Sequence, residues 1–490
     1  MKRIILSIII LCGLMGFEAQ GQALGAAAPA DTQYFHHKDF EWQVTPRYDY
    51  SKTLMGKFFL SQAHYDQRYK LRDNGKQTVY MNCAEALEAI KAMDAITLGL
   101  PKVFYLVGWQ YNGHDSKYPA FFECNEAFKA PGDSSAYQSI LNLMEEARKY
   151  NTSISFHINM YDCYDDSPFF DKYVKDDVLA RYEDGEYIFS DYGYCVSYAR
   201  DWATGNARAR LDSLCKLFPV SQSGTIHIDA FHSRNPIPVV EGDEVDIRFI
   251  SPISPYHKIS SREEVEAQLN VIKYLDSKGI DVTSEYCPEE TFYGYMTAVW
   301  HRSGDHHYIT HYPWDMPGTN SGNHMSRVFG HHVNPESAFR EEGTMKQRFE
   351  NFKKGFCEWS LPHLYLNRLT PVAYIEGPGE DYCEALFSDG VRTTWSDGNF
   401  SMYKDGVKMA GEGNFFVPVQ WAGDNIVVAF SKEGCANLVW TVPEGVSCKG
   451  STAKVYTVDD EGEHYKCTLK VRRHTVALTL SPGEMLKLEF

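Results

Sequence analysis

The sequence predicts an α/β protein in which a closed (β/α)₈ barrel of the TIM type is followed by a C-terminal β-sandwich. From residue 76 to residue 370, apolar strand-like runs alternate with stretches of helical periodicity, as parallel strands joined by right-handed crossovers do. After about residue 371 the pattern becomes short alternating runs broken by Gly and Asp, which is typical of a sandwich. The predicted units are a signal segment, an N-terminal segment that packs on the barrel, the barrel and the sandwich, at residues 1–23, 24–75, 76–370 and 371–490.

The individual elements follow from local periodicity. Helical spacing predicts helices at residues 84–96, 134–150, 206–218 and 261–278. Apolar runs predict buried strands at 102–109, 153–159, 225–231 and 280–285. In the last part of the chain, short strands are predicted at 385–387, 415–420, 426–430, 438–442, 453–457, 467–471 and 476–480. A doubly wound open sheet is the alternative to the barrel, but such a sheet usually carries a G-x-G-x-x-G turn, which this chain lacks.

Composition and charge narrow the class of partner. The formal net charge of −17 comes from 48 Lys and Arg against 65 Asp and Glu. Such a surface repels phosphate backbones and no basic run overrides it, so we expect no nucleic acid partner. Aromatic residues make up 14% of the chain, which excludes a disordered protein and provides flat faces that stack on sugar rings. A carbohydrate is the expected partner, while no oligomeric state is predicted.

The first residues are typical of a secretory signal. Lys2 and Arg3 precede an apolar run at 4–14, and small and polar residues follow at 19–23. The run is too short to span a bilayer, which takes about twenty residues, and no later segment approaches that length. A lipid anchor at Cys12 is disfavoured because Leu11 stands where that signal takes a small residue. The sequence therefore predicts an exported protein, periplasmic or secreted, without a transmembrane segment.

Two carboxylates at predicted strand ends are the candidate catalytic pair. Asp229 ends the run I-H-I-D, and Glu285 ends I-D-V-T-S-E. In a parallel barrel the active site lies at the carboxyl ends of the strands. Hydrolysis of a glycosidic bond needs two carboxyl groups, one to protonate the leaving oxygen and one to attack the anomeric carbon or activate water. Each residue could equally serve as a helix cap or ion-pair partner.

Histidine-rich stretches support a competing hypothesis, a metal-dependent hydrolase. The run S-G-D-H-H-Y-I-T-H at 303–311 offers several imidazoles, and more stand at His227, His232, His301, His331 and His332. The chain has no H-E-x-x-H motif, and its cysteines include no Cys-x-x-Cys pair. No metal or other cofactor is therefore predicted, and a structural calcium ion is not derivable from the sequence. A third hypothesis is a glycan-binding protein that keeps the barrel without turnover.

Several segments in order resemble glycoside hydrolase families 101 and 129, the endo-α-N-acetylgalactosaminidases and α-N-acetylgalactosaminidases. The run K-V-F-Y-L-V-G-W-Q-Y-N-G-H-D-S-K-Y-P-A-F at 102–121 is similar to their strand followed by Gly-His-Asp-Ser, and F-H-I-N-M-Y-D-C-Y at 156–164 to their His-x-Asn strand end. Farther on, segments 387–391, 414–421 and 426–431 resemble the sandwich that follows the family's barrel.

The resemblance implies a retaining glycosidase acting on O-glycan-type α-linked N-acetylgalactosamine. It implies Asp229 as the nucleophile and Glu285 as the acid/base. It also implies a substrate pocket formed by His114, Asp115, His157, Asn159, Trp109, Tyr161, Tyr286 and Trp300, with Asp115 gripping sugar hydroxyls. The large extra modules of the endo-acting enzymes are absent from this chain, so exo action, or action on another α-linked glycan, is an open alternative.

Overall fold

The structure is a computed structural model. It describes residues 44–66, 72–189, 193–231, 239–241, 244–246, 254–284, 297–298, 306–311, 313, 338–340, 342–377 and 381–490. No helix in these ranges is long and apolar enough to cross a membrane.

The N-terminal part alternates strands and helices. Its strands are β1 (Leu54–Phe59), β2 (Ser61–Tyr65), β3 (Asp73–Val79), β4 (Lys102–Val107), β5 (Thr152–Asn159), β6 (Asp162–Cys163), β7 (Tyr194–Cys195), β8 (Thr225–Asp229), β9 (Val239–Glu241), β10 (Glu244–Asp246), β11 (Asp281–Ser284) and β12 (Thr297–Ala298). Its helices are α1 (Cys83–Ile96), α2 (Ala136–Ala147), α3 (Phe170–Lys175), α4 (Tyr198–Ala203), α5 (Asn206–Leu217), α6 (Val220–Ser223), α7 (Ser261–Ser277) and α8 (His306–His311).

Six of these strands form one parallel sheet in the order β1-β4-β5-β8-β11-β12. β1, β4 and β11 are buried along their whole length, which explains why their residues form near-continuous apolar runs rather than an alternating pattern. All six carboxyl ends lie at one edge. β2 and β3 form a separate antiparallel hairpin that follows β1 directly.

Side chains from strands that are not neighbours meet over one face of this sheet. The Tyr105 hydroxyl on β4 lies 2.7 Å from Thr225 Oγ1 on β8. Lys57 Nζ on β1 lies 4.0 Å from Asp229 Oδ1 on β8, although two strands separate β1 from β8. Neighbouring strands lie ~4.8 Å apart, so a flat sheet would keep β1 and β8 about 14 Å apart. The sheet is therefore strongly curved, as the wall of a barrel is.

Local sequence signals define where the longer helices begin. Asn82 and Glu85 form a capping box at the start of α1, and Ser260 and Glu263 form another at the start of α7. These reciprocal hydrogen bonds satisfy backbone N–H groups that have no partner within the helix. The apolar side of α1, which includes Ile90, is fully buried.

The C-terminal part is antiparallel. After α9 (Met345–Gly355), a π-helical turn (Phe356–Ser360) and α10 (Leu361–Leu366), the strands are β13 (Pro371–Glu376), β14 (Tyr382–Phe387), β15 (Val391–Ser396), β16 (Asn399–Lys404), β17 (Val407–Gly411), β18 (Asn414–Pro418), β19 (Ile426–Ser431), β20 (Cys435–Thr441), β21 (Thr452–Asp459), β22 (Gly462–Lys470), β23 (Thr475–Leu480) and β24 (Met485–Glu489). Ten of them form one sheet in the order β13-β14-β15-β16-β17-β18-β19-β24-β21-β22, while β20 pairs with β23.

The two faces of this large sheet belong to different apolar cores. One face contributes residues such as Phe415 and Val428 to the core that also holds the parallel sheet and its helices. The other face contributes Phe416 and Val427 to a smaller core that Trp440 of β20 and Leu478 of β23 complete. The β20–β23 pair is therefore a second layer over part of the large sheet.

The structure agrees with the predicted class of the fold, an α/β part with parallel strands followed by an antiparallel part. Every helix and strand predicted above coincides with an observed element to within a few residues. Closure of the parallel sheet into an eight-stranded barrel stays a prediction, since much of the chain from 285 to 341 lies outside the described ranges.

One boundary was wrong. Residues 24–75 were expected to form a segment that packs on the barrel, but residues 54–59 are the first strand of the parallel sheet itself. The signal was weak because Gly56 and Lys57 interrupt the apolar run L-M-G-K-F-F. Only burial in the tertiary structure makes this segment a strand of the sheet.

Candidate active site

The carboxyl ends of β1, β4, β5 and β8 bring a polar cluster together. The register pairs His157 with His227, and Asn159 with Asp229. Alternate residues of a strand point to the same face. Lys57 is in register with Tyr105 and Ser155, and Ser155 is two positions before His157, so Lys57, His157 and His227 lie on one face of the sheet. Asp229 ends β8, and the next residue, Ala230, has a positive φ of 50° that turns the chain away from the sheet.

Asp229 lies between two basic side chains. His157 Nε2 is 3.4 Å from Asp229 Oδ1, and Lys57 Nζ is 4.0 Å from the same oxygen. The His157 side chain is fully buried and that of Lys57 is 7% exposed, while the Asp229 side chain keeps 14% of its surface exposed. Asp229 is therefore a partly accessible carboxylate at the edge of a buried basic environment.

Asp115 is the second carboxylate of the cluster. The Tyr65 hydroxyl donates a hydrogen bond of 2.7 Å to Asp115 Oδ2, and His114 Nε2 lies 3.5 Å from Oδ1. Burial raises the pKa of Asp115 to about 6, and the negative charge of Asp229 acts in the same direction. The hydrogen bond from Tyr65 and the positive charge of Lys57 lower it. The pKa of Asp115 is therefore raised above that of an ordinary aspartate, as is often the case for functional carboxyl groups.

The loop that carries Asp115 is held close to the β2–β3 hairpin. His114 N donates to Ser61 O, and Ala63 N donates to His114 O, each at 3.1 Å. Gly108 and Gly113 make this approach possible. A Cβ on Gly108 would lie 2.1 Å from Ser61 O, and a Cβ on Gly113 would lie 2.5 Å from Ser61 Oγ. Both glycines also have positive φ, at 78° and 114°, which side chains disfavour.

Asp73 of the hairpin also holds the loop that carries Asp115. Its carboxylate accepts hydrogen bonds from Asn112 Nδ2 at 3.1 Å and from Ser116 Oγ. These two residues flank Gly113 and Asp115 in the same loop. The N-terminal hairpin therefore determines the conformation of the segment N-G-H-D-S.

Three imidazoles line the cluster. The His157 ring stacks on that of His227 with a centroid distance of 5.2 Å, and the edge of His114 meets His157 at the same distance. His227 Nδ1 lies 3.0 Å from Thr283 Oγ1 on β11. The rings therefore form a continuous wall from the Asp115 loop to β11.

The structure brings together four of the predicted site residues and excludes three others from this group. His114, Asp115, His157 and Asp229 form the cluster. The expectation that Trp109 and Tyr161 act as stacking walls was wrong, because both are fully buried. The Trp109 indole packs on Phe156 and donates to His157 O, and the Tyr161 hydroxyl contacts Cys195 Sγ at 3.1 Å.

Asn159 also has a different role from the one expected. Its Oδ1 accepts from the backbone N of Tyr161 and of Asp162, and its Nδ2 donates to Asp162 Oδ2 at 2.7 Å. The side chain therefore builds the turn after β5 instead of lining a pocket. Glu285, Tyr286 and Trp300 lie outside the described residues.

Two members of the cluster were missed in the sequence. Lys57 stands in a strand that was not predicted, and Tyr65 stands in the hairpin that follows it. A lysine in an otherwise apolar run was the available signal for Lys57, since a buried ammonium group requires a compensating charge. Tyr65 carried no signal, because its contact to Asp115 depends on how the hairpin folds back.

The side chains of His157, His227 and Asp229 offer three ligand atoms within 4.8 Å of one another. We assign no metal site to them, because the Lys57 ammonium group lies 4.0 Å from the Asp229 oxygen that would bind the cation and would repel it. The histidines of α8 lie elsewhere. His306 stacks on Phe400 and His311 contacts Cys383, both in the antiparallel sheet. The metal hypothesis also named His232, His301, His331 and His332, and these lie outside the described residues.

A known protein family matches the N-terminal part of the chain. Residues 73–237 match the family model described as endo-alpha-N-acetylgalactosaminidase. This match confirms the resemblance found in the sequence, and it includes Asp115, His157 and Asp229.

Solved structures similar to this chain include the α-N-acetylgalactosaminidase NagBb from Bifidobacterium bifidum. Its complex with GalNAc superposes with a TM-score of 0.47 and 13% identity, covering 72% of this chain and 58% of that one. Its ligand-free form gives 0.45, 14%, 72% and 57%. A variant of the GH36 α-galactosidase AgaA from Geobacillus stearothermophilus, in complex with 1-deoxygalactonojirimycin, gives 0.42 and 8%, covering 91% and 56%. The chain thus spans less than two thirds of the length of each.

Proposed function

We propose that this chain is a glycoside hydrolase resembling families 101 and 129. In this proposal it cleaves α-linked N-acetylgalactosamine of the O-glycan type with retention of configuration. The observation that carries the proposal is the position of Asp229 and Asp115, which lie near enough to interact electrostatically with each other and with Lys57, inside the segment that the family model matches. This edge is where parallel barrels place their active sites.

Asp229 is the proposed nucleophile. In the first step one of its carboxylate oxygens forms a bond to the anomeric carbon, the glycosidic C–O bond breaks, and the leaving oxygen takes a proton from the acid. In the second step water attacks the same carbon, the ester bond to Asp229 breaks, and the acid/base residue takes the proton from water. The resemblance assigns the acid/base role to Glu285, which follows β11, the strand beside β8.

Asp115 is the proposed anchor for sugar hydroxyls, with His114 and His157 beside it. An ionised carboxylate accepts hydrogen bonds from hydroxyl groups more strongly than a neutral acceptor does. Asp115 is already oriented by Tyr65 and by the loop conformation, so little freedom is lost when it binds the substrate. This arrangement favours a sugar ring held between Asp115 and Asp229.

Export belongs to the same proposal. The signal-like segment at 1–23 would place the enzyme outside the cytoplasm, where glycans of the mucin type are found as substrates. The substrate itself is proposed from the family resemblance, and cleavage of another α-linked glycan is the alternative.

The test is incubation with aryl α-N-acetylgalactosaminide and with the aryl α-glycoside of Gal-β1,3-GalNAc, followed by NMR from the first minutes. We expect initial release of the α-anomer, because two successive inversions at the anomeric carbon retain its configuration. The substrate that is cut distinguishes exo from endo action. Asp229→Asn should abolish release on both substrates while the protein remains folded by circular dichroism.

Three results would contradict the proposal. Release of the β-anomer would exclude Asp229 as a nucleophile. Full activity of Asp229→Asn would exclude it from the reaction. Tight binding of the sugar without any product, in the unmodified protein, would support the glycan-binding hypothesis instead.

A further inference from the structure

Lys57 is a buried lysine in the middle of an apolar strand. Every residue of β1 is buried, and the Lys57 side chain is 7% exposed. Removing an ammonium group from water is strongly unfavourable unless an opposite charge compensates. The carboxylate of Asp229, at 4.0 Å, is such a charge, and it lies three strand positions away in the sheet order.

Lys57 also bears on the second carboxylate. The charge of Asp229 raises the pKa of Asp115, whereas the charge of Lys57 lowers it. Two carboxylates that share a site resist being ionised together. The positive charge of Lys57 acts on Asp115 as well as on Asp229, and it opposes the repulsion between the two carboxylates.

The other groups that face Asp229 do not supply a permanent positive charge. His157 on β5 lies 3.4 Å away, and His227 on β8 stacks on His157. Imidazoles lose their charge near neutral pH, while an ammonium group keeps it. His114 and Tyr65, from the loop and the hairpin, contact Asp115. Among the residues that the structure describes around the two carboxylates, Lys57 is the residue with a permanent positive charge that forms an ion pair with Asp229.

We propose that Lys57 is a positioning residue, whose buried ammonium group holds the Asp229 carboxylate in place for attack and stabilises its negative charge. The inference rests on the proposed function, since it assigns to Lys57 a role in the reaction of Asp229. In the first step the charged carboxylate is the attacking group. In the second step it is the leaving group, and a neighbouring cation stabilises the charge that it regains.

A second buried lysine provides a matched control. Lys102 is the first residue of β4, the strand beside β1, and its side chain is fully buried. Its ammonium group contacts Asp94 and donates to Leu100 O at the opposite end of the sheet. Lys102→Met therefore removes another buried positive charge without touching either carboxylate of the cluster.

The experiment measures the ionisation of the carboxyl groups directly. Carbodiimide with glycine ethyl ester labels protonated carboxyl groups, and tryptic peptides report the extent of labelling by mass spectrometry across pH. The peptide 217–234 contains Asp229 as its single carboxyl side chain in every protein compared. The peptide 103–117 contains Asp115 alone, and it is read in all of them except Lys102→Met, which lacks the cleavage site after residue 102. The proteins compared are the unmodified enzyme, Lys57→Met, Lys57→Gln, Lys57→Arg and Lys102→Met, each checked for folding by thermal unfolding.

We expect the labelling midpoint of Asp229 to rise by about one pH unit in Lys57→Met and Lys57→Gln, because an opposite charge has been removed. Lys57→Arg should restore the original midpoint, and Lys102→Met should leave it unchanged. With aryl substrate, Lys57→Met should lose kcat about tenfold at pH values below the original midpoint with a smaller change in KM, and Lys57→Arg should recover it.

The proposal is overturned if Asp229 is labelled with the same midpoint in Lys57→Met or Lys57→Gln as in the unmodified enzyme. An equal shift of the Asp229 labelling midpoint in Lys102→Met would also overturn the proposal, because it would show that the effect does not depend on the position of Lys57. The labelling needs no substrate. An unmodified protein that cuts neither glycoside therefore contradicts the proposed function, while the ionisation of Asp229 is still measured.

Discussion

At the scale of single residues, the site depends on how neighbours adjust two carboxyl groups. Burial and the charge of Asp229 raise the pKa of Asp115 to about 6, while the Tyr65 hydroxyl acts against them by donating a hydrogen bond. The carboxylate form of Asp115 is the one proposed to accept hydrogen bonds from sugar hydroxyls. Substrate binding should therefore weaken as the pH falls through about 6.

Tyr65→Phe tests this relation. Removing a donor to the carboxylate raises its pKa further, so the acid limb of kcat/KM should move to higher pH, by roughly half a unit to one unit. Activity at pH 8 should approach that of the unmodified enzyme, because Asp115 is then ionised in both proteins. The measurement is kcat/KM on an aryl glycoside between pH 4 and pH 9.

Tyr137→Phe is the matched control, since Tyr137 is an exposed residue of α2 away from Asp115. An acid limb that stays in place in Tyr65→Phe, or one that moves equally in Tyr137→Phe, would show that the hydrogen bond to Asp115 does not affect the reaction.

At the scale of elements, the geometry of the site depends on the contact between the N-G-H-D-S loop and the β2–β3 hairpin. Gly108→Ala would place a Cβ 2.1 Å from Ser61 O and 2.8 Å from His114 N, so the loop must move. We expect a loss of kcat/KM of more than tenfold, because misplacing a binding group by about 1 Å can cost a hundredfold. Steady-state kinetics and thermal unfolding would measure both effects.

Gly132→Ala separates displacement from backbone strain. Gly132 also has a positive φ, at 94°, but no atom lies within 4 Å of the added Cβ. Both variants should lose about 1–2 kcal/mol in the free energy of unfolding, because a side chain is disfavoured in the left-handed region. Only Gly108→Ala should lose activity. Equal activity in the two variants would refute a role for the loop contact.

At the scale of the whole molecule, the parallel and antiparallel parts share one apolar core. Phe415 and Val428 of the antiparallel sheet belong to the same cluster as Phe104 and Ile158 of the parallel sheet. The Trp421 indole also donates to Thr97 O, at the end of α1, at 2.8 Å. A shared core couples the two parts during unfolding.

Thermal unfolding of the chain should therefore show one cooperative transition by calorimetry, and a chain ending at residue 370 should fail to fold. That truncation would expose the apolar face that the large sheet covers. Two separate transitions, or a soluble and cooperatively folded product of residues 44–370, would show that the parts are independent.

The sequence by itself determined the elements whose signals are local. Capping residues such as Asn82 and Ser260 mark the beginnings of α1 and α7, and the runs at 102–109, 153–159 and 225–231 predicted three central strands. The family resemblance placed Asp115, His157 and Asp229 in one site, and the structure brings these three residues together. The family resemblance, carried by the same segments, was confirmed.

The tertiary structure decided what depends on contacts between distant residues. The segment of β1 could be identified as a strand only from its burial in the sheet. This strand places Lys57 beside Asp229, which lies more than 170 positions later in the chain. The hydrogen bond between Tyr65 and Asp115 likewise depends on how the β2–β3 hairpin folds. The resemblance assigned Trp109 and Tyr161 to the pocket, but the direction of each side chain relative to the sheet, which composition does not encode, places them in the core.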